Sequence, residues 1–290
     1  MARARRPKKN QAVNKGHRKT VEPGSDSGLI IIGHRGASAL APENTHAAFA
    51  RAFADGADGI EFDVRLASDG VPYVFHDTTL ERTVGIYGEA DRLSSTTLEK
   101  FHVGAWFNER YPRRAHISFE WEEKIPTLAQ VFERYGSHTL YAEMKCEDAS
   151  RRPTLAQAVV ELVREYSLTE RVIVKSFALD SLREVKRLAP EIRTAALFGR
   201  SWPRPFLPAA KIIAEAEACG ADEISLHRSL LRYGTVEEAR RRGFEVLTWT
   251  VNSSTWLRRA LALKLRAVFT DQPGWMKNYL VKKLIAPAPR

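Results

Sequence analysis

Leu29-Ile30-Ile31-Ile32-Gly33-His34-Arg35-Gly36 and Gly59-Ile60-Glu61-Phe62-Asp63-Val64 are short apolar runs that end in, or are threaded by, polar groups, with one helical stretch between them. A run of this length that turns polar at its C-terminal end reads as a buried strand presenting functional groups at one edge of a sheet. Six further runs follow: Thr139-Leu140-Tyr141-Ala142-Glu143, Arg171-Val172-Ile173-Val174, 193 to 198, Glu223-Ile224-Ser225-Leu226, 245 to 249, and Ala267-Val268-Phe269-Thr270. Helical patterns separate them, at 43–53, 154–166, 179–188, 209–218, 236–242 and 255–263. Strand then helix, eight times over, predicts an α/β fold of the (β/α)8 TIM-barrel class. The repeat breaks once, after the second strand, where 71–75 reads as an added hairpin strand and about 83–122 as a small insertion. In such a barrel, chemistry belongs at the C-terminal strand ends and the loops after them.

The chain has 290 residues, of which 44% are hydrophobic and 28% charged, so a sizeable core is available and collagen-like or fully disordered classes are excluded. Its formal charge of +10 is uneven, because residues 1–28 carry eight Lys or Arg against Glu22 and Asp26. That segment has almost nothing apolar and reads as a flexible basic tail, leaving 29–290 as one barrel domain. The tail lacks interleaved aromatics, so no specific nucleic-acid partner is expected, although weak peripheral contact with anionic lipid fits its charge. No apolar run is long enough to span a bilayer. Cys146 and Cys219 are far apart and show no zinc-type spacing. A soluble protein of the reduced cytoplasm is the expectation, and its oligomeric state is left open.

Gly33-His34-Arg35-Gly36 brings an imidazole and a guanidinium to the barrel mouth, with glycines that would permit close approach to a ligand. Glu61 and Asp63, spaced i, i+2, face one side of their strand while Phe62 and Val64 face the helices. Two acids inside a barrel need a cation, either basic side chains or a metal ion. Glu143 and Lys145 repeat the spacing on the third strand. Three carboxylates without thiolates suit a hard divalent ion such as Mg²⁺ or Ca²⁺, while an internal salt-bridge network is the structural alternative. His76-Asp77 adds a second imidazole after the hairpin strand. Two histidines beside a carboxylate-bound ion can move a proton from a nucleophile and to a leaving alkoxide, as phosphodiester cleavage requires.

At this point the sequence resembles the glycerophosphodiester phosphodiesterases. The resemblance rests on H-R-G at 34–36, P-E-N-T at 42–45, E-x-D at 61–63, D-G at 69–70, H-D at 76–77, I-P-T-L at 125–128, E-x-K at 143–145, S-F at 176–177, W-T-V-N at 249–252 and T-D-x-P at 270–273. It implies a TIM barrel with an insertion after the second strand. It further implies that Glu61, Asp63 and Glu143 ligate the metal, that His34 and His76 form the acid/base pair, and that Arg35 and Lys145 hold the phosphate. Products would be glycerol 3-phosphate and an alcohol; the alternatives are a lysophospholipase D or cyclic-phosphate-forming activity on lysophospholipids, and a noncatalytic anion-binding barrel. Trp249 reads as one wall of the substrate cleft, and Glu43 and Asn44 as shapers of the site rather than ligands. Lys175 stands where the family often has Gln and faces either the phosphate or the barrel exterior; His227 reads as a loop residue. Aromatics at 101, 106, 107, 111, 119 and 121 form either a satellite core or an entrance, and Arg200, Trp202, Arg204 and Phe206 a stiff amphipathic rim.

Overall fold

In the computed structural model, which describes residues 28–111, 123–199 and 207–285, the first apolar run becomes β1 (Ile30–His34) and the second β2 (Gly59–Leu66). They pair in parallel, with His34 opposite Glu61. β3 (Pro72–Val74) turns back along β2 as the expected hairpin strand. The remaining parallel strands are β4 (Thr139–Met144), β5 (Val172–Ser176), β6 (Arg193–Phe198), β7 (Glu223–His227), β8 (Glu245–Trp249) and β9 (Ala267–Thr270). β9 pairs with β1, and so eight parallel strands close into a barrel with β3 outside the ring. The helices are α1 (His46–Ala54), α2 (Glu81–Val84), α3 (Ser95–Leu98), α4 (Ala105–Arg110), α5 (Leu128–Tyr135), α6 (Arg152–Glu165), α7 (Leu179–Leu188), α8 (Ala209–Ala218), α9 (Tyr233–Arg241), α10 (Ser254–Ala262) and α11 (Pro273–Ile285). Among the described residues, no helix is long and apolar enough to cross a membrane. Apart from Gly28, the basic tail lies outside the described residues, as do Phe119, Trp121 and the rim at 200–206.

Alternation along each strand sorts the side chains into two cores. Ile32, Tyr141, Ile173, Ala195, Leu247 and Phe269 fill the barrel, while Phe62, Val64, Leu140, Val174 and Ile224 meet the helices. α1 starts three residues later than expected. Thr45 is its N-cap, accepting from the Ala48 N–H, and Asn44 takes a left-handed φ of 58°. Glu43 and Asn44 are therefore released from the helix into the mouth.

The glycines of the first loop have a steric use within the fold. A Cβ on Gly36 would lie 2.5 Å from the Ala48 carbonyl carbon, and one on Gly33 would lie 2.9 Å from the Ala52 Cβ. They let the loop settle on α1.

The insertion has its own small core of Tyr73, Phe75, Leu80, Ala90, Leu98, Val103 and Ile125. Its aromatics divide between the two expected roles. Phe107 is buried against Ala41 and Ala48, whereas Trp106 and Tyr111 reach the mouth. A fully buried arginine ties the insertion to the barrel: Arg65, at the mouth end of β2, binds Asp91 through Nε (2.9 Å) and Nη2 (2.8 Å). It also binds Glu147 beyond β4 and the carbonyl of His76.

Candidate active site

Register assembles the carboxylates. Asp63 lies opposite Glu143, and Glu143 opposite Lys175, so β2, β4 and β5 present one row of charges into the mouth. One oxygen from each of Glu61, Asp63 and Glu143 falls within 4.8 Å of the others, and none of the three residues is more than 6% exposed. Basic groups meet them at every side. Lys175 Nζ is 2.9 Å from Glu61, Lys145 Nζ is 2.8 Å from Glu143, and Arg35 Nε is 3.2 Å from Asp63. The Arg35 N–H donates to Glu61, and the Asn44 side-chain amide donates to Asp63 at 2.8 Å.

Burial alone would raise these carboxyl pKa values. Lys175 and His34 instead hold Glu61 below the usual range, and Arg35, Lys145 and His76 do the same for Asp63. Burial likewise opposes the charge on Lys175, but Glu61 and Glu143 keep it an ammonium. Lys175 is thus inside the barrel and not on its exterior.

Both readings of the charged row have a basis in the geometry. The acids do form a salt-bridge network, and three hard oxygen donors on rigid strands also fit a divalent cation. The donor set contains no sulfur or nitrogen ligand.

The two imidazoles stand beside this row and share one arrangement. His34 Nδ1 is 2.7 Å from Asp271 Oδ1, and His76 Nδ1 is 2.6 Å from Asp77 Oδ1. A carboxylate accepts, so Nδ1–H donates in each ring, and Nε2 is the nitrogen left to take up or give a proton. Asp271 is itself fixed: Ser38 donates to Oδ1, Asn252 Nδ2 to Oδ2, and the Asp271 N–H returns a bond to Asn252 Oδ1. Burial opposes its charge, yet the His34 bond and these donors hold it below the usual carboxylate range. Arg82 crosses the gap between the two sides, binding Asp77 through Nε and Glu43 through Nη2, while Arg35 Nη1 takes the same Glu43.

Two lobes open from the mouth. One, of about 800 Å³, lies beside His34 and is lined by Arg35, Arg82, Trp106, Tyr111 and Asn252 among others. The other, of about 720 Å³, lies beside His76 and is lined by Glu143, Lys145, Ser176 and Phe177 among others. Trp249 meets Phe177 in an edge-to-face contact, and its buried Nε1 has no hydrogen-bond partner. His227 was expected as a loop residue after its strand, but it is the last residue of β7, where it accepts from the Ser229 N–H and packs on Trp249.

Residues 34–275 match the model of the glycerophosphoryl diester phosphodiesterase family. This chain belongs to that family. It is similar to a glycerophosphodiester phosphodiesterase of Caldanaerobacter subterraneus subsp. tengcongensis, 32% identical over 257 residues that span 88% of this chain and 98% of that one. Among solved structures it resembles an Oleispira antarctica phosphodiesterase in complex with the product sn-glycerol-3-phosphate, with a TM-score of 0.75, 28% identity and coverage of 87% and 96%. A glycerophosphodiester phosphodiesterase of Agrobacterium tumefaciens gives a TM-score of 0.70, 27% identity and coverage of 86% and 99%. The TIM barrel and the enzyme class expected from the phosphodiesterase motifs are thereby borne out.

Asp271, Asp77, Asn252 and Arg82 had no assigned role in the sequence reading, although three of them sit inside quoted motifs. The signal was there for Asp271: an acid one residue past the last barrel strand, which closes against the strand carrying His34.

Proposed function

We propose that this chain hydrolyses glycerophosphodiesters to glycerol 3-phosphate and an alcohol, with His34 and His76 as its acid/base pair. The observation that carries the reading is the matched pair of carboxylate-held imidazoles, His34 on Asp271 and His76 on Asp77, placed beside one row of three acids. Glu61, Asp63 and Glu143 would hold Mg²⁺ or Ca²⁺. Such an ion neutralises charge on a nonbridging phosphoryl oxygen. Arg35 and Lys145, each 19% exposed in the side chain, reach the cleft edge and donate to the remaining phosphoryl oxygens. Nε2 of one histidine, as the neutral ring, accepts a proton from the attacking water, and the other histidine, as the imidazolium, supplies one from Nε2 to the leaving alkoxide. The two alcohol halves of the diester lie in the two lobes, with Phe177, in edge-to-face contact with Trp249, against one of them. Free Cys146 and Cys219 support a location in the cytoplasm.

The test is a product screen over glycerophosphocholine, glycerophosphoethanolamine, glycerophosphoinositol and lysophospholipids, with and without a chelator. Release of glycerol 3-phosphate that stops with EDTA and returns with added Mg²⁺ or Ca²⁺ is expected. Full turnover after rigorous removal of divalent ions would overturn the metal assignment, and a lysophospholipid as the only substrate would overturn the product assignment.

A further inference from the structure

Lys175 differs from the other two bases of the mouth. Its side chain is 2% exposed, and its ammonium lies 2.9 Å from Glu61 Oε1, 3.3 Å from Glu143 Oε2 and 4.3 Å from the centroid of the Phe269 ring. Arg35 and Lys145 lie at the cleft edge and can turn toward a bound phosphate. Lys175 is walled in by the barrel, where among the described residues its ammonium pairs with Glu61 and Glu143 and sits over the Phe269 ring. Any divalent cation taken up by Glu61 and Glu143 must share them with a fixed positive charge that cannot move away into solvent. Without such a cation, the same charge keeps three buried acids from repelling one another.

We propose that Lys175 is a built-in counter-ion that competes with the divalent cation for Glu61 and Glu143, stabilising the empty barrel and weakening cation affinity. Occupancy of the site then follows the free divalent concentration, because the empty protein stays folded and ready to load. The inference rests on the reading of Glu61, Asp63 and Glu143 as ligands.

Cation-stripped full-length protein is titrated calorimetrically with Mg²⁺ and with Ca²⁺ and melted without either ion, alongside Lys175→Gln, Lys175→Met, Lys175→Arg and Glu61→Gln. The two neutral Lys175 variants are expected to bind Mg²⁺ roughly tenfold tighter or more, and to melt lower than the parent when empty. Lys175→Arg keeps the charge and is expected to show no tightening. Equal or weaker binding by the neutral variants, while the parent binds and Glu61→Gln does not, overturns the counter-ion role and leaves the ligand reading intact. No binding by the parent or by either neutral variant overturns both. If the neutral variants do not fold when empty, refolding with Mg²⁺ is expected to recover them, and failure to recover in either buffer counts against the proposal.

Discussion

The mouth and the floor of the barrel each bury carboxylates, and the two ends treat them in opposite ways. At the mouth, Glu61 and Asp63 are ringed by Lys175, Arg35, Lys145 and Asn44, and burial loses to these partners, so both acids stay ionised. At the floor, Glu223 opens β7 with no exposure, and Tyr141 and Arg193 both bind it. One of its oxygens has no partner, and burial wins, pushing its pKa up to about 7. A raised carboxyl pKa is a common mark of a catalytic acid. Here it marks the end of the barrel away from the histidines, at the N-terminal ends of the strands, which in such barrels serves stability. Environment, not perturbation as such, separates a site from a strut.

The comparison breaks most visibly if the mouth is not where catalysis resides. His34→Ala and His76→Ala are each expected to lower kcat roughly 10²- to 10⁴-fold with little change in Tm, as loss of a general acid or base does. Near-normal turnover by either variant would remove that histidine from the pair. A nitrophenyl diester, with its good leaving group, is expected to rescue only the variant that lacks the acid.

Asp271→Asn and Asp77→Asn sharpen the same side, because each removes the acceptor that fixes a ring. A fall in kcat of about ten- to a hundredfold, with KM nearly unchanged, is expected from loosening a supporting partner. If KM rises and kcat holds, these acids contact substrate instead of orienting imidazoles.

A smaller effect tests the floor. Glu223 binds a proton more tightly folded (about 7) than unfolded (4.5), so its contribution to stability is full below the unfolded value and disappears as pH rises through about 7. Glu61 and Asp63 run the other way: their contribution is present above the unfolded values and lost as pH falls through the depressed folded ones. The melting temperature of the empty protein is therefore expected to drop on both flanks. Glu223→Gln is expected to flatten the alkaline flank alone, by at most about 3 kcal/mol. An unchanged alkaline slope would mean that Glu223 is ionised at neutral pH.

The barrel was legible because alternation and strand-end polarity are local: Glu61 and Asp63 face inward and Phe62 and Val64 outward, as two-residue periodicity requires. The carboxylate row was legible for the same reason. What sequence could not supply is register between distant strands. Only pairing of β5 with β4 puts Lys175 beside Glu143, and only closure of β9 on β1 brings Asp271 to His34. The α1 boundary failed because Pro42 and Glu43 resemble a helix opening, whereas Thr45 caps it and the left-handed Asn44 sends its amide to Asp63. The steric use of the glycines of the first loop was not legible, because the demand from α1, far along the chain from Gly33, leaves no trace in the tetrapeptide itself.

Arg65 bears on how such barrels can be re-engineered. Its buried guanidinium joins Asp91 of the insertion, the exposed Glu147 after β4 and the backbone of His76. A graft that swapped this insertion for one from a related barrel, in order to change which alcohol is accepted, would remove Asp91 and leave a buried cation with one of its two carboxylates. The damage would then travel to the histidine loop through the shared arginine, and the chimera would lose turnover before it revealed any new preference. Transplants here succeed only if the acid at position 91 travels with the segment or Arg65 is replaced along with it.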